Sequence, residues 1–197
     1  MPQIFDKIGR EKIQENLFLA GFELIKTQGY KKTSVADISR KVGIATGTFY
    51  NFFPSKDEYI YQLVVYNRTI VKERFQSLIS DGKIDKETFR QFLIENYFAD
   101  NNVFDYLNEK EIGILSTKWS DEKWKSESND EKTTNWILKN LEGVRPQCEW
   151  KVVANLSKSI ALIRFGKVRL YQEEYDKTLG IYIEAMLRYI FEEGVNE

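Results

Sequence analysis

Among its 197 residues the chain has no histidine, a single cysteine and only three prolines. Without imidazole, Ser-His and Cys-His nucleophiles and histidine metal sites are excluded, and with them the commonest routes to hydrolytic and zinc catalysis. Carboxylate acid-base chemistry stays open on paper, but the sequence offers it little. Glu109 and Glu111 stand two apart and share no helix face, while Glu127 and Glu131 are four apart within the polar run 126–131. The expectation is therefore no catalytic site, no metal and no cofactor. Cys148 has no second cysteine with which to form an internal disulfide, which suits a reducing compartment; it reads as an incidental thiol or, alternatively, as a redox-sensing one. No apolar run reaches the roughly 18 residues of a membrane span, and Met-Pro-Gln-Ile-Phe-Asp-Lys is too polar for a signal peptide. The expectation is a cytoplasmic protein with no membrane partner.

What the chain does have is 42% hydrophobic, 14% aromatic and 30% charged residues, the balance of a soluble globular protein with a real core. Its net charge of −1 conceals an uneven distribution. Between residues 26 and 56, Lys26, Lys31, Lys32, Arg40, Lys41 and Lys56 face Asp37 alone, and the remainder is acidic on balance. One end of the protein is thus suited to an anionic partner.

Few alternating apolar-polar runs and scarce proline predict an all-α fold. A helix over 10–28 carries Ile13, Leu17, Ala20, Leu24 and Ile25 on one stripe and ends at Gly29-Tyr30. Ser34, three residues before Asp37, caps a short helix stopped by Gly43. A second short helix fits Thr46 to Phe52, and Pro54-Ser55-Lys56-Asp57-Glu58 opens a longer one over 55–79. Further helices are predicted at 86–99, as a shorter pair in 103–119, and at 132–142, 149–165 and 174–193. Residues 126–131 read as a loop or a solvated helix face.

Two short helices joined at a glycine, with a third behind them, form a helix-turn-helix. The spacing turns Val35, Ile38, Val42, Ile44, Phe49 and Phe53 inward against Leu17, Leu24 and Ile25. It leaves Thr33, Ser34, Ala45, Thr46, Gly47, Thr48, Tyr50, Asn51 and Lys56 facing outward. From Gly29 to Tyr59 the chain resembles the DNA-binding domain of the TetR family of bacterial transcriptional regulators. The likeness rests on Gly29-Tyr30, Thr33-Ser34, Ile38, Val42-Gly43-Ile44, Gly47-Thr48, Tyr50, Phe53 and Lys56.

The resemblance implies a dimeric regulator, more often a repressor, whose second short helix enters the major groove of a palindromic operator. Ala45, Thr46, Gly47 and Thr48 would lie near base edges, and Asn51 would read adenine or bond a phosphate. Thr33, Ser34, Tyr50 and Lys56 would hold the phosphate backbone. Family members often carry Ser or Thr where this chain has Ala45, and His or Tyr where it has Phe52; phenylalanine has no hydrogen bond to give a phosphate. The alternative is a helical binding or scaffold protein whose helix-turn-helix no longer touches DNA.

The division expected is 1–55 for DNA binding and 56–197 for ligand binding and dimerisation. The second part holds most of the aromatics, and the resemblance implies a small-molecule effector there. Tyr66, Phe89, Phe92, Tyr97, Phe104, Trp119 and Trp136 are the candidate lining for an apolar or aromatic effector, with Glu95, Glu109 and Glu111 suiting a positive charge on it. For any one aromatic, core packing is the competing reading. Val153, Leu156, Ile160 and Ile163, with Leu179, Ile183, Met186, Leu187 and Ile190, form two apolar stripes that read as a homodimer surface; the alternative is packing within the chain.

Overall fold

The structure, a computed structural model, describes residues 7–79, 82–99, 103–108, 110, 111, 113 and 130–192. Among the described residues the architecture is all-α, the only strand-like feature being one parallel bridge between Ile84 and Leu141. The α-helices are α1 (Lys7–Gln28), α2 (Val35–Val42), α3 (Thr46–Tyr50), α4 (Lys56–Leu78), α5 (Lys86–Tyr97), α6 (Asp130–Lys139), α7 (Trp150–Phe165) and α8 (Tyr175–Phe191). They divide into two compact units. The first comprises the described residues of 1–69 and 102–119, the second those of 70–101 and 120–197, so that α4 runs through both.

In the first unit, local signals set the helix ends. Gly29 and Gly43 adopt φ of 82° and 76°, a left-handed conformation that releases the chain from α1 and α2. Ser34 Oγ accepts from the Asp37 amide at 3.1 Å while the Asp37 carboxylate accepts from the Ser34 amide, the reciprocal cap the sequence predicts. At the head of α4, Ser55 Oγ accepts from the Glu58 amide at 3.1 Å. Leu17, Ile25, Ile38, Phe49, Phe53, Tyr59 and Ile60 are wholly buried. The ring of Phe53 lies 5.2 Å from Phe49, 5.4 Å from Phe18 and 5.0 Å from Tyr59, so the core is largely aromatic. Tyr59 reaches from α4 to α1 and donates to the Leu17 carbonyl at 2.8 Å. Gly21 makes that contact possible, because a Cβ there would stand 1.8 Å from the tyrosine oxygen.

The expected helical pair in 103–119 begins as a 3-10 turn, Val103–Tyr106, whose Tyr106 ring meets Phe22 of α1 at 5.9 Å. Most of the rest of that pair lies outside the described residues. Asn108 and Glu111 bond reciprocally through backbone and side chain at 2.9 and 3.0 Å.

The second unit packs α5, α6, α7, α8 and the last turns of α4. Asp85 caps α5 by accepting from the Thr88 amide at 2.7 Å. Phe75 sits among Phe92 at 5.2 Å and Trp136 at 5.1 Å, both edge-on. Arg164, almost fully buried, donates to the carbonyls of Asn96 and Ala99 and so satisfies the C-terminal end of α5. The two apolar stripes expected to lie open are covered by the unit itself. Val153, Ile160, Leu179, Ile183, Met186, Leu187 and Ile190 are buried in its core, with Leu156 and Ile163 packed half-buried against it. The correction has a simple cause: a helical unit needs these stripes to bury its own aromatics. The apolar side chains left outside on α7 and α8 are others, Leu162 at 65% exposure, Ile181 at 61% and Tyr182.

Candidate nucleic-acid interface

The α2–α3 turn is built by backbone bonds that need no side chain. The Gly43 amide donates to the Arg40 carbonyl at 3.1 Å and Ile44 to Ser39 at 3.0 Å, which closes α2 and turns the chain toward α3. Ala45 occupies the cap position of α3 and supplies no side-chain bond. Phe49 pins the helix from beneath, fully buried among Phe53 and Tyr59. The opposite side is open. Ala45, Thr46, Gly47, Tyr50 and Asn51 are exposed, Thr48 is half-buried, and a Cβ at Gly47 would meet nothing within 4 Å. Small residues above a fixed aromatic base make a low surface that a nucleic-acid groove can approach closely.

Around it the charged and hydroxylic residues divide into free and tethered groups. Ser34 is exposed, but its hydroxyl donates to Asp37 at 2.5 Å, and hydrogen bonds from Ser34, then the charge of Arg40 at 3.0 Å, hold the Asp37 carboxyl below its usual range. Thr33 departs from expectation: it is 0% exposed and its hydroxyl donates to the Gly29 carbonyl at 2.9 Å. The same carbonyl also accepts from the Thr33 amide at 3.2 Å, so the turn after Gly29 closes on both the backbone and the side chain of the threonine. Lys56 is likewise drawn in. Its ammonium donates to the Tyr30 carbonyl at 2.5 Å and stands 3.8 Å over the Tyr30 ring, while burial lowers its pKa. Tyr30 in turn donates to Asp57 at 2.8 Å, and burial followed by that bond pushes its phenol upward.

Arg10 escaped the sequence reading. From α1 it donates to the carbonyl of Asn51, the residue that closes α3, at 3.0 Å, and its guanidinium lies 4.8 Å over the Phe52 ring. The only hint in the sequence was the phenylalanine itself, which lacks a polar atom and offers a cation a π face instead.

The candidate effector lining is scattered. Phe89 and Phe92 are core residues, Trp136 packs on Phe75, and the Tyr97 and Ser157 hydroxyls share a hydrogen bond at 2.8 Å. Tyr66 belongs to the first unit, where it stacks on Phe18 at 4.7 Å and donates to Glu15. Trp119, Glu109 and the side chain of Phe104 lie outside the described residues. Of the acidic residues suited to a cation, Glu95 pairs with Arg74 and Glu111 is engaged with Asn108. Among the described residues no helix is long and apolar enough to cross a membrane, and no cluster of acidic, histidine or cysteine side chains could hold a metal. Burial raises the pKa of the Cys148 thiol, with the Arg145 charge working against it, which disfavours the thiolate a redox sensor needs.

Residues 17–60 match the family model for bacterial regulatory proteins of the tetR family. The HTH-type transcriptional regulator YvdT of Bacillus subtilis is 44% identical over 46 residues, a stretch covering 23% of this chain and 24% of YvdT. The match thus spans about a quarter of that relative's length. Among solved structures, the fatty acid degradation regulator FadR of Bacillus halodurans aligns with a TM-score of 0.61 at 16% identity, over 88% of this chain and 94% of its own. FadR of Thermus thermophilus, a TetR-family repressor solved in complex with lauroyl-CoA, aligns with a TM-score of 0.55 at 17% identity, over 89% and 91%. At such identities the likeness is one of fold, and it extends well beyond the matched head.

Proposed function

We propose, for a chain that belongs through residues 17–60 to the tetR family of bacterial regulatory proteins, that it is a repressor which binds a palindromic operator as a dimer and lets go when a small apolar or aromatic molecule binds. The observation that carries this reading is the open face of α3, where Ala45, Thr46, Gly47, Tyr50 and Asn51 stand exposed above a buried Phe49. In this reading Ala45, Thr46, Gly47 and Thr48 meet base edges, the thymine methyl among them, while Tyr50 and Asn51 hold a phosphate or read adenine. Thr33 shapes the turn from within, and Lys56 adds charge close to the surface without its ammonium being free. Arg10, held over Phe52, brings a cation to the place where that phenylalanine gives a phosphate nothing.

Dimerisation brings two copies of α3 onto successive turns of the duplex. We assign it to the outer residues of α7 and α8, Leu162, Ile181 and Tyr182, because the stripes beneath them are already covered. The effector is placed among the second unit's aromatics, near the Tyr97–Ser157 hydroxyl pair, and the lauroyl-CoA bound by the Thermus relative supports an apolar one. Such a molecule acts only through unequal affinity for two states of the protein. Cytoplasmic location and the absence of catalysis belong to the same proposal.

Selection of bound sequences from a random duplex library tests the reading. A palindromic consensus is expected with the natural protein and none with Gly47→Asp, which adds a repelling charge where a side chain meets no neighbour. A second reading draws on the inward turn of Lys56 and Thr33: a helical binding protein whose helix-turn-helix leaves DNA alone. Absence of enrichment at low salt favours it, whereas binding that weakens steeply with salt favours the repressor.

A further inference from the structure

Arg145, at the corner between α6 and α7, is 5% exposed, and its Nε and Nη2 are buried with no hydrogen-bond partner. Those two nitrogens form one edge of the guanidinium, the edge whose parallel N–H groups match the two oxygens of a carboxylate. The ring of Tyr189 floors the group, 4.1 Å from its central carbon, and the Tyr189 hydroxyl accepts from the Glu149 amide. This sets the guanidinium beside the start of α7. That end is also unfilled: its cap residue Glu149 makes no side-chain bond, and its first turn carries no acidic residue. A buried cation with an unpartnered fork, near the positive end of a 16-residue helix, is costly to keep unless an anion enters to complete it.

We propose that the Nε–Nη2 edge of Arg145 and the start of α7 form a binding site for the carboxylate of a small molecule. A carboxylate fits better than a phosphate because one negative charge balances one guanidinium, and its planar pair of oxygens matches the fork. The aromatic floor and the adjoining Val144 and Cys148, both packed against the apolar core, favour a carboxylate borne on an apolar body. The site lies within the second unit, and its test does not depend on DNA binding.

Thermal unfolding of the full chain, with sodium chloride replaced at constant ionic strength by acetate, benzoate or inorganic phosphate, tests it. Benzoate is expected to raise the midpoint of the natural protein in a saturable manner, by about 3 °C, and phosphate by less. The same additions to Arg145→Met and to Arg145→Lys, which keeps the charge but not the fork, are expected to leave only the small non-saturating effect of anions on any protein. In chloride alone Arg145→Met should be at least as stable as the natural chain, since it removes an unpaired buried charge. Arg145→Met that is less stable in chloride or fails to fold would show the arginine already paired and overturn the proposal. So would an equal benzoate shift in Arg145→Lys, no benzoate shift in the natural protein, or a phosphate shift that exceeds it.

Discussion

The two units use the same kinds of residue to different ends. In the first, Phe18, Phe49, Phe53 and Tyr59 gather into one sealed cluster, and the face above it is made of small and hydroxylic residues. In the second, aromatics and aliphatics share the core, yet Leu162, Tyr171 and Ile181 remain more than half exposed. The head, whose exposed apolar residues Ile8 and Leu19 lie on α1, presents on α3 a face suited to a charged, hydrated polymer. The second unit sets Leu162 and Ile181 outside on α7 and α8, side chains suited to meeting another protein surface. The contrast thus lies in which helix faces are left open, not in how many apolar side chains each unit hides.

The largest effect that would break this contrast is on the head's core. Gly21→Val should cost about 3 kcal/mol through overpacking and loss of the Tyr59 bond to Leu17, read as a lowered urea midpoint. If stability is unchanged, the aromatic cluster is not sealed. Gly47→Asp should leave that midpoint where it is and remove operator binding, at least a hundredfold in affinity by gel shift, separating the face from its base. On the other unit, Ile181→Glu should shift sedimentation toward the monomer with little change in unfolding, because the side chain supports no core. Arg10→Ala is expected to be milder, with roughly a threefold to tenfold loss of operator affinity and a steeper loss in low salt than in high.

The smallest effect concerns acid. Asp37 and Asp85 are both held below the usual carboxylate range by hydrogen bonds at helix starts, from Ser34 and Thr88 respectively. A depressed folded value means stability present above the unfolded value and lost as pH falls through the folded one. Unfolding should therefore become easier below about pH 4, and Ser34→Ala should flatten that decline, seen as a smaller drop in melting temperature between pH 5 and pH 3.

What could be read from the sequence follows the range of the interactions concerned. The Ser34–Asp37 cap and the glycines at 29 and 43 depend on neighbours a few residues away, and the inward turn of Ile38, Phe49 and Phe53 follows from helical spacing, so the sequence revealed them. Gly21 and Arg10 were invisible because their partners, Tyr59 and Asn51, lie about 40 residues distant. Thr33 misled for the opposite reason: a hydroxyl after a glycine turn looks solvent-facing unless the turn's closure back onto the Gly29 carbonyl is counted. In the second unit, a stripe of Leu179, Ile183, Leu187 and Ile190 is the same pattern whether it meets its own chain or another. Only the three-dimensional packing tells which stripe is spoken for.

Gly47 bears on how such a protein can change over time. Because a side chain there would meet nothing, and because Ala45 and Thr46 are exposed beside it, substitutions on this face carry little folding penalty. Duplicated copies of the gene can diverge at these positions while the aromatic base stays intact. The α3 face can therefore be rewritten by descent without disturbing the aromatic base that holds it.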